Sequence, residues 1–519
     1  MSRPFLLLFC AVLSALFSCS TGDGNKPSDV GIEARVVPDV AFDQAGTETS
    51  MPDSRTADVV PDMPPDAAAP WPWPTCPEYA SNGPSLAEKA QFLDDLVVQQ
   101  HLPDNLLRTV ILDDQGQPKV WLSLPSTGLW TASYMASQSL RYAATGDPQA
   151  QENAAMAARG LHDLTMVTGV PGLYGRSYQK PGIAYSGDVS GSPSWVASDA
   201  PGYEGWYWNH DVSKDTMDGL MFGYSVALEF LDDEETLDLI RLDITAFIDH
   251  LVGNGLQIID HTGEVTEHGR LYHSAMDDFP GFNAILVASW IRVVLTETQD
   301  PELEHFYYDC LMRRGDWSDC PDIEVLDIGS YINSIEKAMS LYMADCQTNY
   351  DHFEMVFHAT YPLLRREDDP ELAARLAVVL ENLIWNHNDP ALDPPVHVST
   401  HSFYTFLYGA LSPPSSDDPI WMAAANDAVC TLYRLPQDRH QYAVPAGTQE
   451  TACLNRHGRP NAADIIPLEE RIYDNFIWRL DPYEIPEGIT EVPGLVHSPD
   501  DYLVAYWLGR YYGFINDKM

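Results

Sequence analysis

From about residue 84 onward, apolar residues return every three or four positions in about a dozen stretches, each closed by a Gly, Pro or Asn break. That spacing is the period of an amphipathic helix. The first stretch follows a capping Ser85 and runs to about His101. The second, over 129–144, carries Leu129, Trp130, Tyr134, Leu140 and Tyr142 and stops at Gly146-Asp147-Pro148. Pro148, a good first-turn residue, opens a helix to Thr168 that Gly169-Val170-Pro171-Gly172 ends. The same reading predicts helices near 216–232, 235–254, 282–298, 301–312, 331–346, 351–366, 370–387, 402–411, 418–433 and 500–512. They come in consecutive pairs, but without the fixed repeat length of a solenoid. Long aromatic and Gly-rich loops interrupt them, and such loops need a rigid scaffold. Residues 256–267 read as a β-hairpin turning at Thr262-Gly263. The pattern predicts an all-α toroid of paired helices with a few short β-strands in loops at one face.

The N-terminus follows another rule. Arg3 precedes an almost unbroken apolar run from Phe5 to Phe17, too short for a stable transmembrane helix. It ends in Leu16-Phe17-Ser18-Cys19, which resembles a bacterial lipobox and implies diacylation of Cys19. Residues 1–18 are therefore expected to be a signal peptide. Residues 19–75, rich in Asp and Pro and poor in large apolar side chains, are expected to be a lipidated N-terminus and a disordered acidic stalk with a reach on the order of 40 Å. Residues 76–519 are expected to form one domain, monomeric and held at the cell envelope by its lipid alone. Ser20, where an inner-membrane protein would carry Asp, favours the outer membrane.

The formal charge of −47 makes nucleic acid and anionic lipid surfaces poor partners. After Cys19 come Cys76, Cys310, Cys320, Cys346, Cys430 and Cys453, an even set that reads as disulfides in an oxidising compartment. Cys310–Cys320 and Cys430–Cys453 bracket polar, turn-rich segments, which leaves Cys76 for Cys346. No Cys/His spacing suggests zinc, and neither a metal nor another cofactor is expected. There is no Gly-x-Ser-x-Gly elbow, phosphate loop or HExxH.

Acids and aromatics supply the candidate chemistry. In Trp206-Tyr207-Trp208-Asn209-His210-Asp211, an aromatic loop runs into a helix start carrying Asp215 and Asp218, one turn apart. Asp215 has the position of a capping acid, while the aromatics and His210 suggest a site lining; the sequence accommodates both. The hairpin brings Asp260, His261, Glu264, Glu267, His268 and Arg270, and just beyond it stand His273, Asp277 and Asp278. Arg176, near Tyr174 and Tyr178, could hold a carboxylate or cap a helix end. His401 more often packs than reacts, and Trp478 and Arg479 lie in an irregular segment that could rim a pocket.

The strings Gly128-Leu129-Trp130-Thr131-Ala132, Arg141 to Pro148, Gly169 to Gly172, Lys214 to Gly219 and Asp501 to Tyr511 resemble an uncharacterised group of bacterial exported proteins. That group is similar to the six-hairpin, (α/α)6-toroid glycosidase superfamily, and the likeness covers roughly residues 84–515. Where a Thr-Arg-Trp-Gly-like string would stand, this chain has Thr266-Glu267-His268-Gly269, so no cationic or Trp role is carried over there. The resemblance implies a surface carbohydrate-active protein, a glycoside hydrolase of an oligo- or polysaccharide. A polysaccharide lyase and a non-catalytic glycan-binding lipoprotein are the alternatives. Hydrolysis needs two carboxyls. The expected catalytic set is Asp215, Asp218 and Glu267, with Trp206, Trp208, His210, Arg176, Tyr178, His268, Trp478 and Arg479 binding the sugar.

Overall fold

The computed structural model describes residue 76 and residues 83–519, apart from 273–278, 316–317, 321–328, 345, 413–417, 443–449, 472–473 and 486–489. The expected signal peptide, Cys19 and the stalk lie outside the described residues, as do His273, Asp277 and Asp278.

Six helices form an inner ring: α2 (Thr127–Thr145), α4 (Lys214–Phe230), α6 (Pro280–Thr298), α9 (Tyr350–Arg366), α11 (Ser402–Leu411) and α13 (Asp500–Tyr511). Around them lie α1 (Leu86–Leu96), α3 (Pro148–Met166), α5 (Glu234–Gly253), α7 (Pro301–His305), α10 (Pro370–Val379) and α12 (Pro419–Arg434). Helices α1, α7 and α10 each continue into a wider π-helical turn, over Val97–His101, Phe306–Leu311 and Leu380–Trp385. A short α8 (Tyr331–Ala338) packs on α6. The chain alternates outer and inner, giving the (α/α)6 toroid expected from the sequence. Burial separates the two layers. Every residue from Thr127 to Arg141 of α2 and from Gly281 to Leu295 of α6 is buried. On α3 the buried positions instead recur at Ala150, Ala154, Ala157, Leu161 and Leu164, the one-sided stripe of an outer helix.

Helix caps set the direction of each pair. Four outer helices open on Asp-Pro: Asp147-Pro148, Asp300-Pro301, Asp369-Pro370 and Asp418-Pro419. Each Asp carboxylate accepts from a backbone N–H of the first turn, as Asp369 does from Glu371 and Leu372 at 2.8 and 2.9 Å. Proline costs nothing there because its missing N–H would have no helical partner. These turns, from inner to outer helix, are short. The return connections are long and carry the strands, so all six inner helices begin at one strand-bearing mouth.

At that mouth β1 (Val110–Leu112) lies between β2 (Pro118–Trp121) and β10 (Leu495–Val496), with Val110 opposite both Trp121 and Val496. Strand β5 (Tyr207–Asn209) lies between β3 (Ser177–Gln179) and β4 (Trp195–Ala197). Strands β6 (Gln257–Ile259) and β7 (Val265–Arg270) form the expected hairpin, with Gly263 in its turn at φ 84°. A second hairpin pairs β8 (Glu450–Leu454) with β9 (Pro460–Ala462).

The ring closes where α13 meets α1 and α2. Tyr502 donates its hydroxyl hydrogen to the Leu86 carbonyl at 3.0 Å, and the Trp507 indole donates to Asp94 at 3.1 Å. Asp94 also accepts from Gln138 at 2.6 Å. Helices α2 and α4 approach closely because Gly223 has no side chain: a Cβ there would lie 2.5 Å from the Ala132 carbonyl oxygen.

Closure also decides the disulfides. Cys310–Cys320 forms as expected. The other two expected pairs do not: Cys76 bonds Cys430, and Cys346 bonds Cys453. Sequence proximity favoured Cys430–Cys453, but Cys430 is on outer α12, beside the start of the ring. Lys89 of α1 sits there, donating to the Leu432, Tyr433 and Leu435 carbonyls at 2.8–2.9 Å. Cys346 precedes inner α9 at the mouth, where β8 brings Cys453. Helix α8 is also shorter than the predicted 331–346.

Candidate active site

Inner helices α4 and α9 face one another with matching side chains. Asp215, Asp218 and Phe222 descend α4 at positions i, i+3 and i+7; Asp351, Glu354 and His358 descend α9 in the same register. At the bottom, Phe222 stacks on His358 with centroids 4.6 Å apart and planes at 21°. One turn up, Asp218 and Glu354 are buried, and the partly exposed Asp215 and Asp351 stand at the first turns.

Asp218 accepts from the Trp290 indole of α6 through Oδ1 at 3.0 Å. Its Oδ2 has no hydrogen-bond partner among the described residues and lies 3.8 Å from Nδ1 of His358. Burial pushes this carboxyl well above the usual range, Asp215 adding to the rise and the Trp290 bond opposing it. Glu354, 3 % exposed, is also raised well above its ordinary value. Burial is the main cause; Arg479 opposes it, while Asp351, Asp215 and Asp218 add to it. Burial therefore favours the protonated form of both inner carboxyls. Burial holds His358 neutral, with its pKa pushed down to about 3.

Two arginines overhang the acids. Arg479, in a short 3-10 turn, reaches Asp474 at 3.0 Å and Asp351 at 3.6 Å, and its guanidinium lies 5.7 Å from the Trp130 ring centroid. Arg456, from the β8–β9 hairpin, pairs with Asp351. The Cys346–Cys453 bond ties that hairpin to the segment leading into α9, so a disulfide positions one of the site's cations. Trp130 stacks on Phe476 at 4.7 Å, and Tyr404 of α11 stacks on Phe357 at 4.7 Å.

The structure groups Asp215, Asp218 and Arg479 of the expected set and separates the others. Glu267 is exposed on β7, where its backbone N–H donates to Asp211 at 2.8 Å. The carboxyls facing Asp215 and Asp218 belong instead to Asp351 and Glu354. Their signal was the repeated Asp-x-x-acid spacing at two helix starts. Trp208 and Trp478 are each no more than 1 % exposed and offer no face to a sugar. The Trp478 indole donates to the Asp501 carbonyl at 2.7 Å, and Trp208 fills the core beneath β5. Tyr178 is equally buried, donating to the Asp104 carbonyl at 2.7 Å. Arg176 turns to the Pro125 carbonyl at 3.3 Å, just ahead of the start of α2, not to a helix-end carbonyl. Trp206 is half-buried between Tyr178 and Tyr203, with Lys180 near its ring. His210 binds Asp260 at 2.9 Å, and His268 is half-buried on β7. His401 is buried and stacked on Tyr404 at 4.8 Å.

At the other end of the toroid, an open cleft of about 610 Å³ lies between α7 and the α9–α10 turn. It is lined by Glu304, Asp309, Asp368 and Asp369, of which Asp309 pairs with His305 and Asp369 with Arg314.

No family model and no curated relative matches the chain. Among solved structures it is similar to a sugar epimerase from a ruminal bacterium, with a TM-score of 0.39, 10% identity, and 82% of this chain and 98% of that one covered. It is similar to an α-1,6-mannanase from Salegentibacter sp. HEL1_6, with a TM-score of 0.36, 11% identity and coverage of 83% and 99%. An unsaturated glucuronyl hydrolase specific for heparin gives a TM-score of 0.38, 10% identity and coverage of 82% and 96%.

Proposed function

We propose that this chain is an exported, lipid-anchored glycoside hydrolase acting on an oligo- or polysaccharide at the mouth of the toroid. The observation that carries this reading is the pairing of acids on α4 and α9, with burial and neighbouring carboxyls pushing Glu354 towards its protonated form. Glycosidic cleavage uses one protonated carboxyl to donate to the leaving oxygen and a second carboxyl as base or nucleophile. Glu354 suits the first role. Asp215, partly exposed one turn nearer solvent, suits the second. Asp351 and its two arginines then hold hydroxyl or carboxylate groups of the sugar. Asp218, deeper and bound to Trp290, packs beneath Asp215 and is not assigned a proton-transfer role.

Elimination from a uronate would use a Tyr or His base beside an Arg. Tyr404 lies near both Glu354 and Arg479, but paired acids are what hydrolysis requires. A panel of neutral, uronic and amino-sugar polysaccharides, read by reducing ends and by ultraviolet absorbance, separates the two. Reducing ends without an unsaturated product support hydrolysis. An unsaturated product means a lyase. Binding without turnover in the wild type overturns the catalytic reading.

A further inference from the structure

We infer that His210, Asp260 and His261 form a binding site for one divalent transition-metal ion, such as Zn²⁺, at the junction of β5 with the β6–β7 hairpin. His210 directly follows β5, and Asp260 and His261 directly follow β6. Nδ1 of His210 lies 2.9 Å from Oδ2 of Asp260, and Nδ1 of His261 lies 3.2 Å from Oδ1 of the same carboxylate. One ligand atom from each residue falls within 4.8 Å of the other two.

Hydrogen positions argue for a cation. Nε2 of His210 lies 3.0 Å from the Pro193 carbonyl oxygen, which can only accept, so Nε2 carries the hydrogen. In a neutral imidazole that leaves a lone pair on Nδ1, pointing at a carboxylate oxygen. Nδ1 of His261 lies 3.2 Å from the other oxygen of the same carboxylate, which has no hydrogen-bond partner among the described residues. The two imidazole rings, with centroids 5.2 Å apart, flank this one carboxylate. A single divalent cation satisfies all three groups at once. With metal–nitrogen and metal–oxygen bonds of about 2.0–2.2 Å, tetrahedral ligand atoms stand about 3.4 Å apart, and the two histidine–carboxylate contacts of 2.9 and 3.2 Å are close to that.

The surroundings are those of a metal ligand set. A backbone carbonyl holding the far ring nitrogen fixes the tautomer and aims the near one. The Asp260 side chain is 7 % exposed, whereas those of His210 and His261 are 24 % and 26 % exposed, which leaves an entry path. The pattern of two histidines and one carboxylate suits first-row transition metals over calcium or magnesium. Fifty residues separate His210 from Asp260, so no short motif marked the site, and the expectation of no metal is revised. Asp211 already binds the Glu267 N–H across the same seam. An ion there would fasten the hairpin to the loop that leads into Asp215, independently of which reaction the acids perform.

The test uses the full chain, stripped with chelator, dialysed against Zn²⁺ and then analysed for metal. Saturable uptake of one equivalent with a rise in Tm is expected. His210→Ala and His261→Ala should each abolish that uptake, and His268→Ala should retain it. Co²⁺ should give a visible absorption band in the wild type that both variants lose. If the acidic chain takes up ions without saturation, or if uptake is unchanged in both folded variants, the assignment is overturned. Asp260→Asn repeats the test at the carboxylate, and the two histidine variants decide the matter if it fails to fold.

Discussion

Oδ2 of Asp218 and Nδ1 of His358 lie 3.8 Å apart in the core of the toroid, and neither atom has a hydrogen-bond partner among the described residues. Burial raises Asp218 and lowers His358, so both are biased towards their neutral forms. Asp218→Asn should therefore leave stability within about 1 kcal/mol, because an amide oxygen can still accept from Trp290. Asp218→Leu strands that indole N–H and should cost about 1–3 kcal/mol. Urea denaturation distinguishes the two. Equal losses would mean that Asp218 is charged in the fold.

His358 makes stability depend on pH. Its folded pKa, about 3, lies below the ordinary 6.5. Its contribution is fully present above 6.5 and is lost as pH falls towards 3, because the unfolded chain binds a proton that the folded chain refuses. The loss is about 1.4 kcal/mol per pH unit. His358→Phe, which keeps the stack on Phe222, should shallow the fall in denaturation midpoint between pH 6 and pH 4 by one proton's worth. An unchanged slope would show that His358 is solvated.

Glu354 should show the opposite sign. Its folded pKa lies above the ordinary value, so its stabilising share is present at low pH and is lost as pH rises through the folded pKa. On an identified substrate, activity should fall over the same rise as the proton donor ionises. Glu354→Gln should lower turnover by about 10²–10⁴-fold and leave the melting curve near wild type. Full activity in Glu354→Gln would remove this residue from the site.

Disulfide removal should follow loop length. Cys76–Cys430 spans 354 residues and Cys310–Cys320 spans 10. Replacing both members of the long pair by Ser should cost about 2–5 kcal/mol, and more than replacing the short pair. Peptide mapping of the unreduced protein checks the connectivity directly. A Cys430–Cys453 peptide would refute the ring closure described above.

Lipidation is tested at Cys19. Cys19→Ser should move the protein from the membrane fraction to the soluble one. Unchanged fractionation would exclude the lipid anchor.

Local chemistry was legible along the chain. A 3–4 period with capping breaks located the helices of both layers, since amphipathic burial and capping act within a few residues. Helices α2, α3 and α4 begin within about two residues of their expected starts. Asp215 and Asp218 stood out because an aromatic loop delivers them to a helix start. The hairpin turn at Thr262-Gly263 was equally local, because Gly263 needs a left-handed backbone.

Tertiary structure decided everything that depends on how the ring closes. Whether Trp208 or Trp478 faces solvent or core is set by neighbours far along the chain, and both went to the core. Glu267 and Glu354 are equally acidic in sequence. Only the parallel packing of inner helices α4 and α9 places Glu354 against Asp218 and leaves Glu267 on an exposed strand. The same closure sent Cys430 to Cys76 and brought His210 to Asp260, fifty residues away. Sequence patterns determine which surface each element must bury, through interactions reaching a turn or two. Which groups then meet, and which carboxyls must keep a proton, follows from the three-dimensional packing that removes water from around them.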